Sequence, residues 1–495
     1  MTRASQHFRV VIIGSGFGGQ CAALELRDAG IEDFRILERR SFPGGTWCQN
    51  SYPGAAVDVQ SPLYSISREP YDWSQMFAAQ EELEAYTQHV LTKHRLHEKL
   101  DTHTNVEQIR WNEETALWEL QTSGSSDYTA QFIINASGPL STPVIPPFPG
   151  KDSFQGASFH TNHWDHSFEL RGKRVAIVGS GASAAQVIPE IAKEVAELHV
   201  FQRTPHWVLR RPDITFPGFV RALLRFKPAY TLLRWLIYWG LELRVIGFKY
   251  SDFLLKWVAE IPARRHLKKQ VKDPVLRAKL TPDFTIGCKR IILSNTLYPA
   301  FCRSNVTLHD KHDGLARIDE EGIWTTQGEH LKLDLIVYAT GYDATDGVIS
   351  YPVLGKNGEH LQKRWEAFPR AYLGTSIPGF PNFFIVTGPN TGIGHTSALF
   401  IIEAQMNYIG RCLREVWKQK AHCIEVKAEA EEEYTQFIHK EMERTVWKKG
   451  GCRSWYQSKS GHVIAMFPGF SFSFWWLTKR FRAQHHRITS KSKGQ

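Results

Sequence analysis

Two glycine turns, each followed at the same distance by a charged side chain of opposite sign, carry the first chemistry of this chain. Residues 9–30, RVVIIGSGFGGQCAALELRDAG, place Gly14, Gly16 and Gly19 as GxGxxG, and Glu38 closes the next apolar run 24 residues after Gly14. The first glycine permits a tight turn, the second lets the backbone approach a pyrophosphate, and the third lets helix and strand close. The helix N-terminus adds partial positive charge. A carboxylate at Glu38 can hold both hydroxyls of an adenosine ribose. Residues 173–193, KRVAIVGSGASAAQVIPEIAK, repeat the turn as GxGxxA with Gly179, Gly181 and Ala184. Here the position 24 residues after Gly179 is Arg203, followed by Thr204. A carboxylate would repel a 2′-phosphate, whereas a guanidinium attracts it. The first turn therefore suits FAD or NAD, and the second suits NADPH.

Each turn needs a buried parallel strand before it and a helix after it. Val10–Ile13 reads as the first such strand and VAIV, residues 175–178, as the second. FIINASGP (132–139) and DLIVYATGYD (334–343) each read as a buried strand ending in a small-residue turn, where the chain passes close to a dinucleotide and crosses into another domain. GPNTGIGHTSALFIIEAQMNYI (388–409) reads as a small-residue turn feeding an apolar helix, with Gly394, His395, Thr396 and Ser397 approaching a cofactor edge. The predicted fold is α/β, with two Rossmann-like dinucleotide-binding domains, one for FAD and one for NADPH, and a helical insertion. Residues 1–145 form the first part of the FAD-binding domain. Residues 146–344 form the NADPH-binding domain, with the insertion at about 211–285. Residues 345–495 return to the FAD-binding domain and end in a basic tail. Within the insertion, Val220, Leu223 and Leu224 fall at helical spacing and Pro228 interrupts. Its expected roles are to bury helices against the NADPH domain or to line an access route for an apolar substrate at a membrane surface.

The bulk composition is compatible with this plan. A chain of 495 residues supports two or three domains, and its 42% apolar content suits a globular protein. Seven scattered cysteines, with no CxxC pair, argue against a disulfide scaffold or a zinc site and fit a reducing cytoplasm. No metal is expected. Cys48 lacks the second cysteine that a redox-active CxxxxC would supply. The net charge of +10 owes much to the last 17 residues, which hold six bases and no acid. That tail is expected to be disordered and solubilising, and no nucleic-acid partner is expected. Because Phe470, Phe472, Phe474, Trp475 and Trp476 precede it, weak peripheral contact with an anionic membrane is a second expectation. Residues 228–248 are rich in apolar side chains, but Arg234 and Glu242 interrupt them, so a simple spanning helix is excluded.

Between the two glycine turns stands FQGASFHTNHWD, residues 154–165. Phe154, Gly156, His160, Trp164 and Asp165 resemble the fingerprint of type I Baeyer–Villiger monooxygenases, FxGxxxHxxxW followed by Pro or Asp. GGTWCQNSYPGAAVD (44–58), with Gly45, Thr46, Trp47, Tyr52, Pro53, Gly54 and Asp58, and TIGCKRIILSNTLYPAFCRSNV (285–306), with Lys289 and Arg290, match the same family. The resemblance covers almost the whole chain and is weakest around 205–280.

It implies an FAD- and NADPH-dependent enzyme. O2 forms a C4a-peroxyflavin, and one oxygen is inserted next to a ketone carbonyl to give an ester or lactone. Arg290 would stabilise the anionic peroxide and Asp58 would orient Arg290. Lys289 would turn toward the NADPH 2′-phosphate with Arg203 and Thr204. Trp455 in GCRSWY would hold oxidised NADP over the flavin, and the 154–165 segment would couple domain movement to catalysis. The substrate is expected to be a small hydrophobic ketone. The alternatives are an N- or S-oxygenating relative, or an NADPH oxidase or sensor that has lost oxygenation; Trp164 and Arg290 weigh against the first, and the presence of Asp58, Lys289 and Arg290 against the second.

Overall fold

The computed structural model describes residues 5–344, 349–452 and 454–490; the side chain of residue 252 is also left aside. Lys491 and Lys493 of the basic tail lie outside the described residues.

Two parallel-rich sheets position everything that follows. In the first, the strands run in the order Val353–Leu354, Val106–Asn112, Leu117–Thr122, Asp127–Asn135, Ser5–Ile13, Phe34–Leu37, Leu100–Asp101, and Phe383–Ile385 also pairs with Asp127–Asn135. In the second, the order is Val306–His309, Glu197–Phe201, Arg174–Val178, Leu335–Tyr338, Ala157–His160. Val10, Val11 and Ile12 are fully buried, as are Val175, Ala176 and Ile177. Such runs, apolar on both faces, are what a central parallel strand requires.

The two sheets are built alike at their glycine turns. Ser5–Ile13 lies parallel to Asp127–Asn135, with Ile13 opposite Asn135. Arg174–Val178 lies parallel to Leu335–Tyr338, with Val178 opposite Tyr338. The turn after each pairing strand therefore abuts the glycine turn. A Cβ on Gly14, at φ +100°, would lie 2.6 Å from the Ala136 carbonyl oxygen. A Cβ on Gly179, at φ +125°, would lie 2.3 Å from the Ala339 carbonyl oxygen. Both positions need glycine for conformation and for space. Helices Phe17–Asp28 and Ala182–Ile191 follow the two turns.

The insertion is helical, but it does not pack as the sequence suggests. Helix Gly218–Leu224 ends before Phe226, and Pro228 opens the next helix, Lys227–Glu242, rather than breaking one. Proline suits a first turn because its missing N–H is unpaired there anyway. Val220 and Leu224 pack on the core of the first sheet, whereas Leu223 is exposed. Tyr230 and Leu241 are buried in that same core, so the aromatic helices lean on the first sheet rather than on the NADPH domain. Polar anchors explain the choice: Trp73 Nε1 donates to Tyr230 Oη, and Arg234 Nη1 donates to the carbonyls of Pro62 and Ser65. Only the later part, with Leu267, Val271 and Leu280, joins the core of the second sheet.

Two further expectations are corrected. The basic tail is not wholly disordered, since His486–Thr489 forms a strand antiparallel to Cys423–Val426 and His486 is buried. The four residues His-Arg-Ile-Thr hold a single apolar side chain, too short a signal against a run of charge. Cys288 and Cys452 form a disulfide across 164 residues, a pairing made by tertiary proximity that no local spacing announces. Among the described residues, no helix is long and apolar enough to cross a membrane.

Candidate functional site

The first cradle is assembled from three turns. Ser15 donates to the Glu38 carboxylate from its amide at 3.2 Å and from Oγ at 2.6 Å, and the Arg40 amide donates to the other oxygen at 3.0 Å. Glu38 is buried, and these donors fix the carboxylate at the edge of the glycine turn. A Cβ on Gly19 would lie 2.0 Å from the Gly14 carbonyl oxygen, which is the close helix–strand contact assigned to the third glycine. Gly45, at φ +66°, stacks on Gly16, where a Cβ would come within 2.7 Å of its Cα, and the Gly44 amide donates to Ser15 Oγ at 3.0 Å. Gly45, Thr46 and Trp47 are thereby placed beside the first turn, with Thr46 at the start of the short helix Thr46–Gln49.

The second cradle opens onto a cavity of about 730 Å³ lined by Gln202, Arg203, Thr204, Pro205, Lys279 and Lys311, among others. Ser180 Oγ donates to the Thr204 carbonyl at 2.9 Å, tying the glycine turn to the cavity wall. Ala184 is buried, while a Cβ on Gly181 would meet nothing within 4 Å, so the second turn presents bare backbone to open space. The Lys289 ammonium is pulled below the usual lysine range, first by burial and then by the nearby charge of Arg203. Two cations held near each other fit a dianionic phosphate. Lys279 and Lys311 were missed by sequence reasoning; they come from helix Pro274–Lys279 and from the turn after Val306–His309, and no local spacing links them to Arg203.

The third cluster surrounds Arg290. Its Nε and Nη2 each donate at 2.5 Å to the two oxygens of Asp58, a side-on pair whose side chains are 43% and 31% exposed. Asp58 raises the Arg290 pKa above its already high value, so the guanidinium stays charged at every working pH. Asp58 is positioned by a loop clasped to the other unit. Tyr52 Oη donates to Gln186 Oε1 at 2.9 Å, Gln186 Nε2 donates to the Ala56 carbonyl at 2.8 Å, and a Cβ on Gly54 would strike the Gln186 carbonyl at 2.6 Å. Arg290 is positioned by the strand Ile292–Leu293, parallel to Val208–Leu209, and by Cys288, which is bonded to Cys452. Trp47 Nε1 donates to Tyr64 Oη at 3.2 Å, and the charges of Asp58 and Arg290 both act on Tyr64. Tyr456, pushed up to about 12 by burial, also feels both charges. Tyr64 and Tyr456 are the residues of this cluster that sequence reasoning missed. Trp455 is 46% exposed and stands edge-on to Tyr456, their ring centres 4.6 Å apart.

The comparisons with known proteins bear on this geometry. Residues 11–217 match the family model described as pyridine nucleotide-disulphide oxidoreductase. Cys48 is nevertheless a free thiol pushed up to about 11 by burial, so the first unit carries no redox-active pair of the kind that description names. A Baeyer–Villiger monooxygenase of Pseudomonas aeruginosa is 41% identical over 490 residues, covering 98% of this chain and 92% of the relative. One of Streptomyces coelicolor is 41% identical over 493 residues, covering 99% and 94%. The chain belongs to the Baeyer–Villiger monooxygenases. Among solved structures, an oxidised steroid monooxygenase bound to NADP superposes with a TM-score of 0.88 at 29% identity, covering 98% of this chain and all of that one. A closed form of cyclohexanone monooxygenase gives 0.87 at 25% identity, covering 98% of this chain and all of its own.

The family fingerprint occupies a polar junction between the two sheets in this Baeyer–Villiger monooxygenase. His160 ends a strand of the second sheet and is buried, its imidazole pushed down to about 4 by that burial. Its Nδ1 accepts from the Asn162 amide at 3.0 Å. Asn162 Nδ2 donates to Tyr342 Oη at 3.1 Å and to Asn50 Oδ1 at 3.3 Å, and Tyr342 Oη donates to Asn50 Oδ1 at 2.9 Å. Gln49 reaches the Asn162 carbonyl. The segment thus ties the helix of the GGTW turn to the crossing at Tyr342. Gly156 is required by space, since a Cβ there would lie 2.4 Å from the Phe154 ring. His395 pairs with Glu242 at 3.2 Å, both fully enclosed, and burial lowers its pKa.

Proposed function

We propose that this chain is an NADPH- and O2-dependent flavin monooxygenase that inserts one oxygen next to the carbonyl of a hydrophobic ketone. The observation that carries the reading is the side-on Asp58–Arg290 pair, because it consumes Nε and leaves Nη1 of a permanent cation outside the pair. Steroid and cyclohexanone monooxygenases among the structural neighbours, together with the named relatives, favour ketone oxygenation over N- or S-oxygenation and over an uncoupled NADPH oxidase or sensor.

Gly14, Gly16, Gly19 and Glu38 hold FAD by its pyrophosphate and ribose, with Gly45, Thr46 and Trp47 flanking it. Gly179, Gly181 and Ala184 hold the NADPH pyrophosphate, and Arg203, Thr204 and Lys289 bind the 2′-phosphate. When bound, NADPH supplies the hydride and the reduced flavin activates O2 for transfer to the ketone. Arg290 keeps positive charge at Nη1 where negative charge develops, and it donates no proton that it could lose at working pH. Asp58 fixes the plane of the guanidinium. Tyr64 and Tyr456 lie where the charges of the pair reach them, and Trp47 holds Tyr64 through its indole N–H. Trp455 closes the NADPH side. The reading divides the chain into an FAD domain of residues 1–145 and 345–495 around an NADPH domain of residues 146–344, and it places the enzyme in the cytoplasm, where NADPH is regenerated.

The test is Arg290→Ala assayed with linear, cyclic and aryl ketones, with products identified by mass. Ester formation falls by about 10²–10³-fold, the range for losing one transition-state anion donor, while flavin content is kept. Ester output equal to wild type refutes the reading.

A further inference from the structure

The insertion turns its apolar side outward. Helix Lys227–Glu242 buries Tyr230 and Leu241 and keeps Arg234 against Pro62 and Ser65, yet its opposite face carries Trp235, Leu236 and Trp239, continued by Leu243, all exposed. These positions recur every three or four residues, so they form one stripe along the helix. Ring contacts carry it on from Trp239 through Phe472 and Phe470 to Tyr250, and on the same insertion Phe219 is 77% exposed, Phe253 68% and Trp257 58%. Most of the large exposed hydrophobic side chains of the described residues fall between 214 and 258. The helix Ser471–Lys479 joins the same surface, for Phe472 meets Trp239 with ring centres 6.0 Å apart. A contiguous apolar surface of this kind marks a binding face rather than scattered surface residues.

Charge identifies the occupant. Lys227, Arg244 and Lys256 are exposed on the same insertion, whereas Arg225 pairs with Asp72 at 2.9 Å. Lys479 and Arg480 lie over the rings of Trp475 and Trp476, each 4.4 Å from the ring centre. The described acids of residues 214–260 do not oppose them: Glu242 is buried, and Glu260 pairs with Arg264 at 2.8 Å. Aromatic side chains flanked by arginine and lysine are the composition of a surface that lies in a lipid headgroup layer, with rings at the acyl boundary and cations at phosphate level. The inner face is meanwhile pinned by Glu242, which accepts from Ser471 Oγ at 2.7 Å and pairs with His395, so the stripe cannot simply fold inward.

We propose that this face docks the enzyme on the surface of an anionic phospholipid bilayer, without crossing it. The inference is independent of the catalytic reading. The test compares wild type with the triple variant Trp235→Gln, Phe253→Gln, Trp257→Gln in co-sedimentation with phosphatidylglycerol-rich and pure phosphatidylcholine vesicles, and flavin absorbance verifies that both fold. Wild type partitions onto the anionic vesicles, about tenfold less onto the neutral ones, and the variant loses about tenfold on the anionic ones. Wild type absent from both pellets, or a variant that pellets as wild type does, overturns the proposal. So does a wild-type dimer in sedimentation velocity that the variant converts to monomer, since the stripe would then be an interface between copies.

Discussion

Arg203 and Lys289 stand on different segments; burial depresses the lysine first, and the positive charge of Arg203 adds to it. On the proposed function a dianionic 2′-phosphate sits between them and reverses the sign of that interaction. Two unit charges about 4 Å apart attract by roughly 4 kcal/mol at an effective dielectric of ~20. Desolvation leaves about 1.5–3 kcal/mol for a charge-assisted hydrogen bond. Arg203 is exposed and Lys289 half-buried, so the lower end belongs to Arg203 and the upper end to Lys289. Arg203→Gln therefore raises KM for NADPH about tenfold, and Lys289→Gln about 150-fold. The 2′-phosphate is bound equally in ground and transition states, so kcat at saturation stays within about twofold. NADH lacks the phosphate, and its KM stays level or falls as the cationic repulsion is relieved. The double variant loses less than the product of the two factors, because both cations address one anion. The assay follows oxidation of each coenzyme under saturating ketone and air. Equal rises in KM for NADPH and NADH, or a fall in kcat at constant KM, would refute the argument.

Asp58→Asn keeps the shape of the Arg290 partner and removes its charge; ester formation falls about tenfold and peroxide release per NADPH rises, measured by coupled product and peroxide assays. His160 and His206 are both pushed down to about 4, chiefly by burial, and unfold into water where their pKa is about 6.5. The unfolded chain therefore binds more protons between these values, and the stability held in full above about pH 6.5 is lost as pH falls toward 4, by up to ~3 kcal/mol for His160. Thermal melts of wild type show that slope, and His160→Gln flattens it. The Cys288–Cys452 pairing predicts five titratable thiols in the unreduced, denatured chain. It also predicts a melting temperature that falls on reduction in wild type but not in Cys452→Ser, for a loss of about 2–4 kcal/mol.

What was legible in the sequence was local. The glycine turns, Glu38 and Arg203 each depend on neighbours within one strand–turn–helix unit, so spacing alone placed them in their cradles. The packing of Gly14 on Ala136 and Gly179 on Ala339 was only half legible: the small residues were visible, but their pairing follows from strand order. Asp58 and Arg290 are 232 positions apart, and only family resemblance brought them together. Tyr64, Tyr456, Lys279 and Lys311 carried no signal, because an aromatic or a lysine in an irregular segment has no period to betray which cavity it lines. The Cys288–Cys452 bond and the strand at His486–Thr489 were misjudged for the same reason.

The insertion shows a different limit. The insertion was expected to be helical, but a helix apolar on nearly every side has no polar face to say which way is out. Orientation was decided by Arg234 and Glu242, polar residues that would ordinarily be assigned to solvent. Arg234 donates to buried carbonyls and Glu242 accepts from Ser471, so the charged residues point in and the tryptophans point out. Burying those two groups is favourable only because each is satisfied where it lies, whereas an unpaired charge there would cost several kcal/mol. The exposed stripe is thus the consequence of an internal polar anchor. Glu242→Leu separates the two effects: it removes the anchor, leaves the stripe intact in composition, and should loosen the insertion while preserving the glycine cradles. Proteolysis within residues 214–260 at unchanged flavin content is the expected result, and protection equal to wild type would show that the core, not Glu242, sets the orientation.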